Sequence, residues 1–475
     1  MPHVLISAAH KSSGKTTISI GLAAALRNRG MTVQTFKKGP DYIDPMWLAR
    51  ASWRPCYNLD YYTMNVDEIL ASFSRFSHGS DISLIEGNKG LYDGLDLDGG
   101  NSNAALALLV GAPVVLVIDS RGMTRGIAPL ILGYQAFNPK INIAGIILNK
   151  VGGNRHERKL RAIIEHFTHV PVVGAVHRDE RLEIVERHLG LMPSNETPEA
   201  DIKIDAIAEL IGAQVDLDKF LEIAGQGAEL ASPPMARRAQ TSADITIGIA
   251  RGSAFGFYYP GDLEALEAAG ARLVSIDLTS DSRLPDIDGL FIGGGFPEVH
   301  MQALEANTEM RAQVQCAIRR GLPAYAECGG LMYLARSLSW HGQTRQMAGV
   351  IPGDVVMHDR PTGRGYVKLR ETGKGPWPLL DAGGNPGKIP AHEFHYSSLE
   401  NLEGDPVFAY DVVRGHGIDG KHDGLVYQNL LANYTHLRDV AANRWTTRFI
   451  GFVREQKDMK TMGMADSNAP QQVGN

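Results

Sequence analysis

Cysteine is scarce in this chain. Its 475 residues hold three, Cys56, Cys316 and Cys328. Three scattered thiols build neither a disulfide framework nor a zinc site, and they suit a reducing compartment in which one cysteine serves chemistry. A strong charge of either sign is missing too. Lys and Arg number 47 against 53 Asp and Glu, for a net charge of −6, which gives no electrostatic basis for binding nucleic acid or an anionic membrane. Long apolar runs are also lacking. The longest uncharged one, residues 104–118, is interrupted by Gly111 and Pro113 and falls short of the ~20 residues a spanning helix needs. The N-terminal run 4–9 meets His10 and Lys11 before a signal-peptide core can form. The expected location is the cytoplasm, with neither nucleic acid nor membrane as partner.

What is present is an ordinary globular composition, 44% hydrophobic and 21% charged, in a chain long enough for two or three domains. In the first half, apolar β-branched runs at 4–7, 32–36, 82–85, 114–118 and 143–148 read as buried strands, with helical patterns at 16–29 and 104–110 between them. Such alternation predicts an α/β fold with a doubly wound parallel sheet. Residues 224–243, rich in Ala, Gly, Ser and Pro, read as a linker. Alternation then resumes, with strands at 245–250, 273–276, 290–292 and 324–327 and helices at 262–269 and 301–319. The expected organisation is a domain at 1–223, the linker, a second α/β domain at 244–455, and a frayed polar tail at 456–475.

The first strand runs into Ala9-His10-Lys11-Ser12-Ser13-Gly14-Lys15-Thr16-Thr17 and then a helix, the context a phosphate loop requires. Backbone N–H groups of Ser12, Ser13, Gly14 and Thr17 can cradle phosphate, Lys15 can neutralise it, and Thr16 can hold Mg²⁺. Ala9 stands where the first loop glycine is usual. Acidic segments follow two later strands, Gly39-Pro40-Asp41-Tyr42-Ile43-Asp44-Pro45 and Glu86-Gly87-Asn88-Lys89-Gly90-Leu91-Tyr92-Asp93. Carboxyl ends of parallel strands converge on a ligand crevice, where carboxylates can ligate Mg²⁺. The plain alternative is that Asp41 and Asp44 cap turns beside the prolines.

Further along, Ala326-Glu327-Cys328-Gly329-Gly330 places a cysteine between strand and helix, where a sharp glycine turn exposes sulfur as a nucleophile. Gly293-Gly294-Gly295 follows another strand, and its free N–H groups suit an oxyanion hole. A base is needed, and His392, His395, His416, His422 and His436 are available.

A phosphate-loop domain joined to a cysteine elbow resembles the cobyrinate a,c-diamide synthase family. The resemblance rests on Phe36-Lys37…Gly39-Pro40-Asp41-Tyr42-Ile43-Asp44, Asn58-Leu59-Asp60, Glu86-Gly87…Gly90-Leu91-Tyr92-Asp93-Gly94, Asn149-Lys150-Val151 and Glu186-Arg187-His188-Leu189-Gly190-Leu191. Gly293-Gly294-Gly295-Phe296-Pro297-Glu298, Ala326-Glu327-Cys328-Gly329-Gly330 and His392-Glu393-Phe394-His395-Tyr396-Ser397 extend it into the second half. It implies a dethiobiotin-synthetase-like first domain, a triad glutamine amidotransferase-like second domain, and ATP- and glutamine-dependent amidation of tetrapyrrole carboxylates. By that carry-over Lys15 and Lys37 contact transferred phosphate, with Lys37 catalytic, and Asn149 faces adenine. Thr16, Glu86 and Asp41 hold Mg²⁺, while Tyr42, Asp44 and Asp93 lie toward substrate. Cys328 is the nucleophile, Gly294, Gly295 and Gly329 form the oxyanion hole, and Tyr434-Thr435-His436 supplies the base, His436. Leu437-Arg438-Asp439 follows, so a cation stands where many triad glutaminases carry the glutamate that orients the histidine. The implied substrate is a polycarboxylate: cobyrinate, hydrogenobyrinate or siroheme. Trp47-Leu48 and Asn88-Lys89 depart from the family pattern toward its siroheme-amidating branch. Lys38, Lys89 and Arg121 are the expected local cations for such a substrate, and the resemblance is compatible with a homodimer. The reading from another class is a partitioning-type switch ATPase with a non-catalytic second domain, whose second loop lysine is replaced here by His10.

Overall fold

The computed structural model describes residues 1–187, 190–230 and 242–467. Two compact units divide the chain, Met1–Ala236 and Arg237–Asn475. Their division falls inside the expected linker. Ala224 still closes the helix Leu217–Ala224, and residues 231–241 lie outside the described residues, as do His188 and Leu189. Among the described residues no helix is long and apolar enough to cross a membrane.

The first unit is built on β1 (His3–Ala8), β2 (Val33–Lys38), β3 (Tyr57–Leu59), β4 (Ile82–Glu86), β5 (Val114–Asp119), β6 (Ile143–Val151) and β7 (Val172–His177). They pair in parallel in the order β3-β2-β4-β1-β5-β6-β7. Every residue of β1, β2 and β5 is buried, because a parallel sheet is covered on both faces and its strands read as unbroken apolar runs. Strand β2 is the exception in composition. Its Gln34 donates to the Pro55 carbonyl at 2.8 Å, and its lysines end the strand at the ligand side. Helix α1 (Lys15–Asn28) packs so closely on the helix Ala200–Gln214 that a Cβ on Gly21 would lie 2.3 Å from Ile211 Cγ1. The chain leaves β1 for β2, two positions away, and returns to β5 on β1's other side, so the switch point of the sheet lies at the carboxyl end of β1. Strands β3 and β7 escape the sequence reading because one has three residues and the other carries Gly174 within it.

In the second unit a nine-stranded sheet begins with five parallel strands, Ala271–Ile276, Ile245–Ala250, Gly289–Ile292, Ala324–Glu327 and Leu430–Asn433. It continues antiparallel through His422–Tyr427, Val407–Arg414, Gly363–Glu371 and Lys388–His395. The expected helix 301–319 is two helices, Met301–Ala306 and Thr308–Arg319. Asn307 divides them, since its Oδ1 caps Met310 N and its Nδ2 donates to the carbonyls of Leu278 and Asp281, a competition that ends a helix. The expected boundary at Glu455 also needs correction. The final helix runs Trp445–Ser467, held by Trp445, Phe449, Ile450 and Val453 in the core with Phe291 and Tyr325. Lys457 Nζ then reaches Asp288 at 2.9 Å, so the turns after Glu455 are tied down despite their polar composition. Residues 468–475 lie outside the described residues.

Candidate active sites

The first site forms where β1, β2 and β4 end. Beyond β1 the loop passes through Ser12 at φ 64° and Gly14 at φ 86°. A Cβ on Gly14 would lie 2.2 Å from Asn149 Nδ2, which donates to the Ser13 carbonyl at 2.9 Å. Helix α1 then presents Lys15, which is buried, and Thr16. Thr16 Oγ1 donates to Glu86 Oε1 at 2.6 Å and lies 3.2 Å from Asp44 Oδ2. Lys37 Nζ is 2.5 Å from Asp44, 3.2 Å from Glu86 and 3.9 Å from Asp41. Asp41 Oδ1 accepts from the Asp44 amide at 3.1 Å, steadying the start of α2 (Ile43–Ser52). Thus Asp41 does the turn-capping work, and Asp44 faces Thr16 and Lys37.

Charge in this cluster is set by burial working against partners. Burial alone would lower the Lys37 ammonium, but Asp44, Glu86 and Asp41 more than offset it and hold its pKa above the usual lysine value. Lys15 is lowered to about 8, first by burial and then by Lys37. Burial raises Glu86, with Lys37 opposing, and its Oε2 is buried with no hydrogen-bond partner among the described residues. Asp41 is raised to about 7 by burial and by Asp44, although 35% of its side chain reaches solvent, which softens the burial contribution. Nearby, Lys38 Nζ donates to Asn88 Oδ1 at 3.2 Å. Asp93 is exposed and accepts from Gly90 N.

The second site is assembled on the strand Ala324–Glu327. Cys328 follows it at φ 47°, ψ −101°, a conformation costing about 1–3 kcal/mol for a residue other than glycine. Its amide donates to the Asn433 carbonyl at 2.7 Å, which ties the elbow to the neighbouring strand. The turn closes only because Gly330 follows: a Cβ there would lie 2.1 Å from the Ile292 carbonyl. Gly329 packs against Gly295, and a Cβ on Gly294 would meet His436 Cε1 at 2.7 Å, so the two glycine turns and the histidine converge. His436 is buried and hydrogen-bonded to Cys328 and Glu327; burial would lower its pKa, but these bonds hold it at about 10.

Of the other four candidate histidines, His392 adjoins the site and three face other partners. His392 stacks on His436 at 4.9 Å and 18°; burial, then His436 and Arg438, keep it well below the ordinary imidazole value. His395 stacks on Tyr434, His416 turns to the Gly417 carbonyl, and His422 pairs with Asp419.

A model of the CobQ/CobB/MinD/ParA nucleotide binding domain matches residues 5–191, and one of the CobB/CobQ-like glutamine amidotransferase domain matches residues 246–443. Over 462 residues the chain is 44% identical to the cobyrinate a,c-diamide synthase of Magnetococcus marinus, an alignment covering 96% of this chain and 98% of that protein. The chain belongs to the cobyrinate a,c-diamide synthase family. Relatives of the same name in Methanosarcina acetivorans and Archaeoglobus fulgidus are 42% and 39% identical, covering 93% and 96% of this chain and 93% and 98% of theirs.

Within this family framework, the structure brings Lys15, Thr16, Lys37, Asp44 and Glu86 into one cluster with the loop, and Asp41 to its edge. It brings Cys328, His436, Gly294, Gly295 and Gly329 into another. Tyr42 is buried at the start of α2. Asn149 stands beside the loop with its amide committed to Ser13. Arg121 is held by Asp119 at 2.7 Å, a carboxylate it shares with Lys150. Glu327 and Asp423 were not singled out from the sequence. Both are buried carboxylates that hold the segment carrying His436, Asp423 by accepting from the amides of Tyr434 and Thr435. The only sequence signal for Glu327 was an acid at the end of an otherwise apolar strand.

Proposed function

We propose that this chain amidates the a- and c-acetate carboxylates of cobyrinate, with ATP activating each carboxylate and glutamine supplying nitrogen. The observation that carries the reading is the pairing, in one chain of this family, of a phosphate loop whose Thr16 meets Glu86 with an elbow whose Cys328 meets His436.

In the first unit, backbone N–H groups of Ser12 to Thr17 cradle the nucleotide phosphates, and Lys15 and Lys37 balance charge on the γ-phosphoryl group. A substrate carboxylate oxygen takes that group, ADP leaves, and the resulting acyl phosphate is attacked by ammonia, expelling phosphate. Asn149 lies on the adenine side, where an adenine contact exchanges its bond to Ser13. Thr16, Glu86 and Asp41 are the hard oxygen donors for Mg²⁺, and Asp44 joins them by its contact with Thr16. The donor set fits, since Glu86 Oε2 is buried with no hydrogen-bond partner among the described residues and magnesium needs only one or two carboxylates beside phosphate oxygens. When bound, the ion supplies neutralisation of the charge building on the transferred phosphoryl group. Tyr42 and Asp93 complete the side toward substrate.

In the second unit, the thiol proton has passed to His436 and Cys328 Sγ attacks the glutamine amide carbon. The N–H groups of Gly294, Gly295 and Gly329 bind the oxyanion. His436 returns the proton to the departing ammonia, and water then releases glutamate from the thioester.

Cys328→Ser is expected to abolish glutamine-dependent amidation and to spare amidation driven by ammonium salts. Loss of both in a folded variant would overturn this division of labour. Mass spectrometry of products from cobyrinate, hydrogenobyrinate, nickel sirohydrochlorin and siroheme checks the substrate: the cobyrinate diamide is expected, and amidation of siroheme alone would place the chain in the siroheme branch.

A further inference from the structure

A histidine that relays protons for a thiol needs its far nitrogen held, because the ring must stay in one orientation and one tautomer. The residue two places after His436 is Arg438. Its guanidinium lies 4.9 Å over the Tyr259 ring and has no acid to offer. The carboxylate that meets His436 comes instead from the residue before the nucleophile. Strand Ala324–Glu327 pairs in parallel with Leu430–Asn433, and Glu327 lies opposite Asn433, so Glu327 stands level with the point where the chain turns toward His436. Its Oε2 is 3.2 Å from His436 Nδ1. Its Oε1 accepts from the Tyr325 hydroxyl at 2.5 Å and the Leu437 amide at 2.8 Å. Tyr325 shares the strand face with Glu327, as residues two apart must. With 2% exposure, Glu327 has both oxygens held by the chain.

We propose that Glu327 is the positioning residue of the glutaminase site, replacing the acid that Arg438 displaces: it fixes the His436 ring through Nδ1, leaves Nε2 to serve Cys328 Sγ, and stabilises the imidazolium formed when the thiol proton transfers. Sequence adjacency does two jobs here. The last residue of one strand supplies the acid and the next supplies the nucleophile, while the base arrives from the neighbouring strand. Around His436 also lie Cys328, the His392 ring stacked on it, and the Tyr325 hydroxyl bound to Glu327. The carboxylate of Asp423 accepts from the amides of Tyr434 and Thr435 and from the Thr435 hydroxyl. The inference rests on the assignment of Cys328 and His436 above.

The test uses the full chain carrying Glu327→Gln, which keeps the acceptor for Leu437 N and removes the charge, and Glu327→Asp. Two readouts are needed: amidation of cobyrinate with glutamine or with ammonium, and the pH dependence of Cys328 alkylation by iodoacetamide, followed by peptide mass spectrometry because Cys316 is exposed and Cys328 is buried. Glutamine-dependent kcat of E327Q is expected to fall by about 100-fold or more with ammonium-dependent kcat within about twofold of wild type. The alkylation profile should move to higher pH, and E327D should recover part of both. Unchanged glutamine turnover and an unchanged alkylation profile in E327Q, with C328S still inactive on glutamine, would overturn the inference and leave the glutaminase reading standing. Full glutamine turnover in C328S would overturn that reading itself. Should E327Q lose ammonium turnover as well, E327D decides: wild-type glutamine turnover and profile in it count against the proposal, and a partial loss confined to glutamine supports it.

Discussion

At the scale of single residues, burial and partners pull the ionisable groups of both sites in opposite directions, and the outcome is measurable. His436 is buried, yet its pKa stands at about 10 against an ordinary 6.5. A folded-state value above the unfolded one stabilises the fold fully below about 6.5, and that contribution is lost as pH rises through 10. Asp262 acts in the same direction: burial and then Asp439 raise it to about 8, so the fold loses stability as the pH climbs from the ordinary carboxylate range through 8. Lys15 and Lys38, lowered to about 8, act in the opposite direction above pH 8, so the assignment is read from a difference: between pH 6.5 and 10 the thermal unfolding midpoint of wild type is expected to fall relative to that of His436→Gln. A difference that does not change over this range would contradict the His436 assignment. In the first unit, Glu86→Gln leaves a neutral amide facing Thr16 and Lys37. Calorimetric titration with magnesium and ATP should show affinity weakened by about 10–100-fold, with glutamine hydrolysis at Cys328 retained.

At the scale of elements, the elbow depends on glycines for room. Gly330→Ala would place a methyl 2.1 Å from the Ile292 carbonyl, a backbone atom that cannot step aside, and is expected to cost about 3 kcal/mol in chemical denaturation. Gly294→Ala instead meets a side chain, His436. It should therefore lower glutamine-dependent kcat and spare ammonium-dependent kcat. These turns were legible in the sequence because glycine runs at strand ends are local signals, and so were the phosphate loop and most first-unit strands, whose continuous apolar runs follow from burial on both faces. Glu327 was not legible as an orienting acid. Its partner lies 109 positions away and is brought to it by parallel pairing, which no short spacing encodes. The final helix was cut short for a related reason: its polar later turns carry no apolar stripe, and its hold on the core comes from Phe449, Ile450 and Val453 upstream. The division at Asn307 was hidden because the Leu278 and Asp281 carbonyls that accept from its Nδ2 belong to a distant loop.

For the whole molecule, a net charge of −6 gives a polycarboxylate substrate no general attraction, so recognition falls to cations near the first site. Lys38 is lowered to about 8 by burial, with Asp60 opposing and Lys89 reinforcing. The KM for cobyrinate is expected to rise above pH 8 as Lys38 loses its charge, and to rise with salt. Lys89→Glu should raise the same KM several-fold without changing glutamine hydrolysis by Cys328; an unaltered KM would remove Lys89 from substrate recognition. The division at Ala236 has a consequence for how the molecule is made. Every strand of the first sheet lies before it, so the ribosome releases a complete set of phosphate-site elements before any of the cysteine unit has emerged. At roughly 5–20 residues per second, the later half follows over some tens of seconds. A growing chain therefore completes the strands of the first sheet before Cys328 is translated.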